Sequence, residues 1–147
     1  MTAELAASVP PQPRPDADSA AFWAATAAGR LAMCRCQECR LWLQPPLERC
    51  RRCAGATAFE PIAGTGSIYS FIVQRQAAVP GYLDQIPYVV GVVQLDEQPR
   101  LRLPGRIVGI APEEVVCDLR VRAELVPLPG GAFTVPVFRP DDRVGPV

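Results

Sequence analysis

The chain has 147 residues, of which 49% are apolar, so it can form one domain of ordinary size or two small ones. Fifteen arginines balance fifteen acidic residues, and a net charge of zero provides no broad positive field to attract a nucleic-acid backbone. The sequence has no histidine, the base that serine and cysteine nucleophiles most often use. This composition argues against a self-sufficient hydrolase or acyltransferase, and we expect no catalytic residue in this chain.

No apolar run reaches the length of a membrane span, and the N-terminus lacks the basic start and apolar block of a signal peptide. We therefore expect a cytoplasmic protein, in which thiols stay reduced or bind metal. The 17 prolines and 11 glycines favour short strands and many turns over long helices.

The N-terminal part predicts an arm followed by a helix. Residues 1–15 are rich in alanine and proline and predict a flexible, extended arm. Residues 16–32 predict a helix, capped from Asp16, Asp18 or Ser19 and closed by Gly29. Its only large apolar side chains are Phe22 and Trp23, which are expected to contact either the rest of this chain or a partner subunit.

Residues 33–62 contain two Cys-x-x-Cys pairs separated by ten residues. Tetrahedral Zn²⁺ in structural sites is commonly held by two such pairs, so we predict a zinc ribbon with Cys36, Cys39, Cys50 and Cys53 as ligands. The alternatives are two disulfides or four buried thiols. The closed shell leaves no position for water or substrate, so the ion is expected to be structural.

The arginines, the residues between the cysteine pairs and Cys34 in the same segment also allow predictions. Five arginines surround the cysteine pairs and either offset the charge of the thiolates or form a solvated basic rim; they are Arg35, Arg40, Arg49, Arg51 and Arg52. Residues 41–43 predict a short strand between the pairs. Cys34 is expected to be a small packed residue rather than a ligand.

Residues 63–140 predict five strands, followed by a tail over residues 141–147. The predicted strands cover residues 68–73, 88–95, 101–109 with a kink at Pro104 and Gly105, 117–125 and 132–138. Gly91 is expected to mark a bend or bulge. Strict alternation over 117–125 predicts that Cys117 faces the core. The number of predicted strands favours a mainly β fold that ends in a small five-stranded barrel of OB type, with a β-sandwich as the alternative.

In this order, the helix, ribbon and barrel resemble the OB-fold, acyl-CoA-associated protein family with a rubredoxin-like zinc ribbon. The resemblance covers residues 16–140, and its matching motifs are Phe22-Trp23, Gly29-Arg30-Leu31, the two cysteine pairs with Pro45-Pro46 between them, Gly64-x-Gly66-x-Ile68-Tyr69-Ser70, Pro87-Tyr88-Val89 and Phe138-Arg139-Pro140. The family usually has glycine after the first pair, where this chain has Arg40. If that position needs a positive φ, arginine costs about 1 kcal/mol there.

The resemblance implies a non-catalytic subunit that pairs with a thiolase-like enzyme acting on acyl-CoA thioesters, as a hetero-oligomer of two plus two chains with acyl-CoA at the shared site. Such enzymes include thiolases, acyltransferases and retro-aldolases that shorten sterol side chains. Phe22, Trp23 and Tyr82, in the loop 76–87, are the expected partner or substrate contacts; the alternative for Tyr82 is packing on the barrel.

Two other functions compete. A module that binds single-stranded nucleic acid would need a basic stripe, for which the candidates are Arg100, Arg102, Arg106, Arg120 and Arg122. The neutral net charge argues against it. The other alternative is a stand-alone acyl-CoA-binding barrel, since arginine suits the phosphates of coenzyme A.

Overall fold

The fold is a helix, a three-stranded antiparallel sheet and a closed five-stranded barrel, in that chain order. The computed structural model describes residues 8–143. Helix α1 is Ala20–Ala27; the sheet strands are β1 Ala32–Cys36, β2 Trp42–Leu43 and β3 Thr57–Pro61; the barrel strands are β4 Thr65–Gln74, β5 Tyr88–Leu95, β6 Arg102–Ile107, β7 Arg120–Pro127 and β8 Thr134–Pro140. The predicted fold class, mainly β with a helix, a four-cysteine ribbon and an OB-type barrel, is confirmed.

Helix α1 is shorter than the predicted 16–32 and lies against its own barrel. Asp16 Oδ1 accepts hydrogen bonds from the Ser19 N–H and hydroxyl, which makes a turn ahead of the helix, and Gly29 ends the helix region with φ 77°. The Trp23 ring meets the Phe133 ring edge to face at 5.5 Å. None of the described helices is long and apolar enough to cross a membrane.

The arm predicted over residues 1–15 falls partly outside the described residues. From residue 8 onward it has no regular secondary structure, as an extended arm would, but it is packed rather than free. Pro10 is buried, and Gln12 Nε2 donates to the Pro129 carbonyl oxygen at 2.9 Å. The arm therefore lies against the end of the barrel near the β7–β8 connection.

The ribbon is built on β1, which pairs with β2 on one side and with β3 on the other. Only the β2 strand is predicted from the sequence. Strand β1 was missed because residues 32–36 fall between the predicted helix and the first cysteine pair, and β3 because residues 57–61 mix apolar and polar side chains without clear alternation.

The barrel has the strand order β4-β5-β6-β8-β7, in which β6 and β8 are parallel, and pairing of β7 with β4 closes it. Its core includes Ile68, Val93, Val121 and Phe138, all fully buried. Strand β6 runs through the predicted kink without a break, because Gly105 leaves room for the Phe138 ring against the backbone. The bulge lies at Tyr69 in β4, between Ile68 and Ser70, rather than at Gly91.

The prediction that Cys117 faces the core is wrong. Cys117 is exposed, and β7 begins only at Arg120. Asp118 has φ 68° and donates its N–H to the Ile68 carbonyl oxygen, so the chain turns there and the alternation starts later. From Leu119 onward the alternate residues do pack against the core, as predicted.

We expect the Gly66→Ala variant to lower the free energy of unfolding by roughly 1–3 kcal/mol. A methyl group on this buried glycine would collide with the backbone carbonyl oxygen of Gln94 in the paired strand. The control is Gly29→Ala, where a Cβ meets open space and only the strain of φ 77°, about 1 kcal/mol, is added. Urea unfolding measures both variants. An equal effect of the two substitutions would contradict this account of β4 packing.

Candidate metal centre

The four cysteines predicted as ligands lie together at the tip of the ribbon. Their Sγ atoms are all within 4.8 Å of one another. Cys36 Sγ is 3.5 Å from Cys53 Sγ, and Cys39 Sγ is 3.6 Å from Cys50 Sγ. A tetrahedron with Zn–S bonds of ~2.3 Å has edges of about 3.8 Å, so the donor set fits the expected ion. All four thiols are free, and the separations are well beyond a disulfide bond of ~2.05 Å.

Backbone N–H groups point at the first sulfur of each pair. Glu38 and Cys39 both donate to Cys36 Sγ at 3.4 Å, and Arg52 donates to Cys50 Sγ at 3.3 Å. Burial raises the pKa of Cys36, but the N–H groups of Cys39 and Glu38 outweigh burial and lower it below the ordinary value. The local backbone thus favours thiolates, the form that binds metal.

The thiols of the group differ in how readily they ionise. The N–H of Leu41 lowers the pKa of Cys39 to about 6, against the effect of burial, and the Arg52 side chain adds to this. The N–H of Gly55 lowers the pKa of Cys53, but the neighbouring thiols and burial outweigh it and raise that pKa to about 11. Four thiolates at these distances repel one another, and a divalent cation among them removes that cost.

Each cysteine pair is followed by a residue in the left-handed region, Arg40 with φ 65° and Ala54 with φ 61°. Arg40 therefore does take the positive φ for which the sequence predicted only a conditional cost. Arg40 is held by its side chain, which lies 2.7 Å from Glu60 Oε1. The Ala54 N–H donates to the Cys50 carbonyl oxygen at 2.8 Å, which closes the second turn. Both turns thus have the same left-handed conformation directly after the second cysteine of the pair.

The arginines around the cysteines divide between the two interpretations. Arg52 donates to the Cys39 carbonyl oxygen at 3.0 Å, and the Cys39 thiolate raises the pKa of Arg52. Arg35 and Arg40 instead both pair with Glu60, whose pKa is lowered by Arg40 first. The other two arginines of the segment form no ion pair with any described residue. Arg35 also donates from Nε to the Arg40 carbonyl oxygen at 2.9 Å, so two of the five bond to the first cysteine turn, and Arg52 alone bonds to a cysteine.

Cys34 is buried and lies outside the four-thiol group, with Sγ 3.6 Å from the Leu47 carbonyl oxygen. It packs with Leu43 and Phe59 in a small apolar cluster beneath the cysteines. The expectation of a packed residue is confirmed.

Trp42 anchors the ribbon to the barrel. Its side chain is 6% exposed and belongs to the same apolar core as the barrel strands. Gln98 bonds its backbone on both sides: Oε1 accepts from the Trp42 N–H at 2.9 Å, and Nε2 donates to the Trp42 carbonyl oxygen at 3.1 Å. Gln98 was not predicted from the sequence, since no local pattern signals a bond between residues 56 positions apart.

The structure places the three predicted contact residues on their own chain. Phe22 and Trp23 form an edge-to-face pair at 5.0 Å, and Phe22 packs against the core. Tyr82 lies 5.5 Å from the Tyr88 ring and 5.3 Å from the Arg106 guanidinium. Contact of these residues with a partner remains a prediction.

The helix, the ribbon and the barrel line an apolar cavity of about 390 Å³ that is open to solvent on one side. Phe22 and Trp23 line it from the helix, Met33 and Phe59 from the ribbon, and Leu103 from the barrel. This volume is within the usual range for small-molecule sites, which are mostly apolar.

The predicted arginine stripe is not uniform: Arg120 is paired with an acid, whereas Arg102 and Arg106 lie against tyrosine rings. Arg120 forms two hydrogen bonds to Asp96, and this contact is the main cause of the lowered pKa of Asp96. The Arg102 guanidinium lies 3.6 Å from the centre of the Tyr69 ring, and Arg106 lies between two tyrosines.

Comparisons with known proteins agree on one family. A family model for the C-terminal OB-fold domain of ChsH2 matches residues 59–126. A probable enoyl-CoA hydratase alpha subunit of Thermomonospora curvata is 34% identical over 132 residues, which are 88% of this chain but only 40% of that protein. A chain of the Ltp2-ChsH2(DUF35) aldolase has a TM-score of 0.80 at 33% identity and is covered over 98% of its length, with 88% of this chain.

A protein of unknown function from the DUF35 family of Sulfolobus solfataricus has a TM-score of 0.52 at 11% identity, over 82% of both chains. At that identity it shares the fold alone. This chain therefore corresponds to nearly all of one solved chain and to two fifths of the curated relative.

We expect Ala54→Gly to raise the free energy of unfolding by up to about 1 kcal/mol, because glycine adopts the left-handed conformation without strain. The matched control is Ala58→Gly in strand β3, where the residue is exposed and extended and glycine costs roughly 0.5–1 kcal/mol. Denaturant titration at a fixed metal concentration compares them. Loss of stability in both variants would show that φ 61° at Ala54 carries no strain.

Proposed function

Because this chain belongs to the OB-fold, acyl-CoA-associated family that includes the DUF35 chain of ChsH2, we propose that it is a non-catalytic subunit of an enzyme acting on acyl-CoA thioesters. Its partner is a thiolase-like enzyme, a thiolase, an acyltransferase or a retro-aldolase, in a hetero-oligomer of two plus two chains. The observation that carries the proposal is the match to the aldolase-associated chain over 98% of that chain's length.

The composition of this chain supports the division of labour. A sequence without histidine has no general base of the usual kind for a nucleophile. The one exposed cysteine outside the four-thiol group, Cys117, lies on a turn. Proton transfer and carbon–carbon bond chemistry are thus assigned to the partner.

The proposed structural ion is Zn²⁺, held by Cys36, Cys39, Cys50 and Cys53. When bound, it supplies no reactive position, because four thiolates fill its coordination shell. Its role is to join the two cysteine turns over an apolar cluster with only four fully buried members. The ribbon held in this way carries Met33 and Phe59 to the apolar cavity.

The cavity of about 390 Å³ supports a contribution to the substrate tunnel. Its apolar lining suits the hydrocarbon part of an acyl thioester, whereas the polar coenzyme would remain at the surface shared with the partner. Ser19 and Gln44 are the polar residues of its wall.

We expect the protein to purify with one equivalent of zinc, measured by elemental analysis without chelators in the buffers. Cys50→Ser removes a ligand and should abolish retention of the metal, with unfolding of the ribbon seen as a change in the tryptophan fluorescence, to which Trp42 contributes. The control is Cys117→Ser, which lies outside the four-thiol group and should keep the metal. Absence of metal from the unmodified protein, or equal loss in both variants, would contradict the zinc assignment.

Mixing the purified chain with a thiolase-like protein from the same organism should give a complex of two plus two chains by light scattering. Acyl-CoA turnover should require the mixture, and this chain alone should have none. The proposal fails if this chain turns over acyl-CoA by itself, or if the enzyme neither binds it nor changes its activity. Calorimetric titration with acyl-CoA distinguishes the alternative of a stand-alone acyl-CoA-binding protein, which would bind without the partner.

A further inference from the structure

Strands β4, β5 and β6 are adjacent in the barrel, and their side chains alternate between the core and the outside. Val89, Val93, Leu103 and Ile107 point inward and are buried. The alternate residues point outward. Their apolar and aromatic members are Tyr69, Ile72, Tyr88, Val90, Val92 and Pro104, and we call this surface the β4–β6 face.

The registers bring these side chains together. Ile72 is paired with Val90, which is paired in turn with Arg106. In the next outward row, Ser70 is paired with Val92 and Val92 with Pro104. The apolar residues are therefore contiguous across three strands rather than scattered.

Two of these side chains are unusually open for their size. Ile72 is 61% exposed and Tyr69 is 52% exposed. Tyr69 is the extra residue of the β4 bulge, which re-aims its side chain outward over β5 and β6. Large contiguous apolar patches mark interaction sites, whereas single exposed apolar side chains are ordinary surface.

The same face is positively charged without compensation. Arg102 and Arg106 project from β6, and neither forms an ion pair with any described residue. Their Nε atoms are buried and have no hydrogen-bond acceptor in the described part of the chain. The sequences of β4, β5 and β6 contain no aspartate or glutamate. The face thus provides an apolar centre and guanidinium donors that lack carboxylates.

We propose that the β4–β6 face is the surface on which the enzyme partner docks, and that the partner presents apolar side chains bordered by carboxylates that pair with Arg102 and Arg106. This inference rests on the proposed function and adds the location and chemistry of its interface. Helix α1 is not the centre of that interface, because Phe22 and Trp23 are already packed against this chain. Tyr82 borders the face through its contact with Arg106.

Charge and shape argue against two other occupants. In a symmetric dimer built on this face, the arginines of both copies would meet without acids between them. For a nucleic-acid strand, binding requires aromatic platforms on which bases stack. Here the two outward aromatic rings are already in use: Arg102 covers one side of Tyr69 at 3.6 Å, and Tyr88 lies against the Tyr82 ring and the Arg106 guanidinium.

The test measures binding of the full, metal-containing chain to the thiolase-like partner by surface plasmon resonance. Ile72→Asp should raise the dissociation constant roughly 30-fold or more, as expected for a position that becomes buried at the centre of an interface. The matched control is Val9→Asp, since Val9 is 54% exposed but lies on the arm beside Gly130. It should change the dissociation constant less than about twofold. Arg102→Gln should slow association and reduce its salt dependence.

Metal content and thermal unfolding of each variant confirm that it is folded. If the unmodified chain binds the partner and Ile72→Asp binds equally well, the location is wrong while the proposed function stands. An equal loss in Val9→Asp also overturns the location. If the unmodified chain does not bind the partner, the proposed function fails and this inference with it. Two further outcomes would overturn the proposal. If the unmodified chain self-associates and Ile72→Asp abolishes this, the face belongs to a second copy. If the unmodified chain binds a 15-nucleotide oligo(dT) and Ile72→Asp abolishes this, the face belongs to nucleic acid.

Discussion

The architecture depends on one apolar core that continues from the barrel into the ribbon. Leu31, Met33 and Trp42 belong to the same cluster as the barrel strands, and the Gln98 amide fixes Trp42 from both sides of its backbone. The ribbon's separate cluster contains only four buried residues, three of them cysteines. Such a small cluster cannot by itself offset the entropy of ordering about thirty residues. The barrel on one side and the four-thiol group on the other therefore share the task of holding the ribbon.

Much of the fold could be predicted because its signals are local. The Cys-x-x-Cys spacing indicated the thiol cluster, and the apolar run 88–95 coincides with β5. What failed depends on distant or strained residues. Cys117 continues the alternation of β7 in sequence, but the left-handed Asp118 turns the chain before the strand begins. Strands β1 and β3 exist because they pair with each other, which no single segment signals.

The difference between local and long-range signals also explains which partner-binding surfaces could be predicted from the sequence. Phe22 and Trp23 stand out in an alanine-rich segment, yet the structure uses them to attach the helix to the barrel. Ile72, Val90 and Val92 look like ordinary strand residues, and only the pairing of β4 with β5 shows that they lie on one outward face. Large side chains in a sequence indicate where burial will occur, whereas an unburied surface can be recognised only when the whole sheet is assembled.

The turn that removes Cys117 from the core leaves a reactive handle on the molecule. Cys34 is buried, and thiolates that held the proposed zinc ion would be slow to alkylate, so a maleimide dye should attach at Cys117 without mutagenesis. The adjacent Asp118 is hydrogen-bonded to Ile68, one residue before Tyr69 in β4. A fluorophore at Cys117 would thus be tethered beside the exposed sheet and would report, through its emission, when that sheet becomes covered.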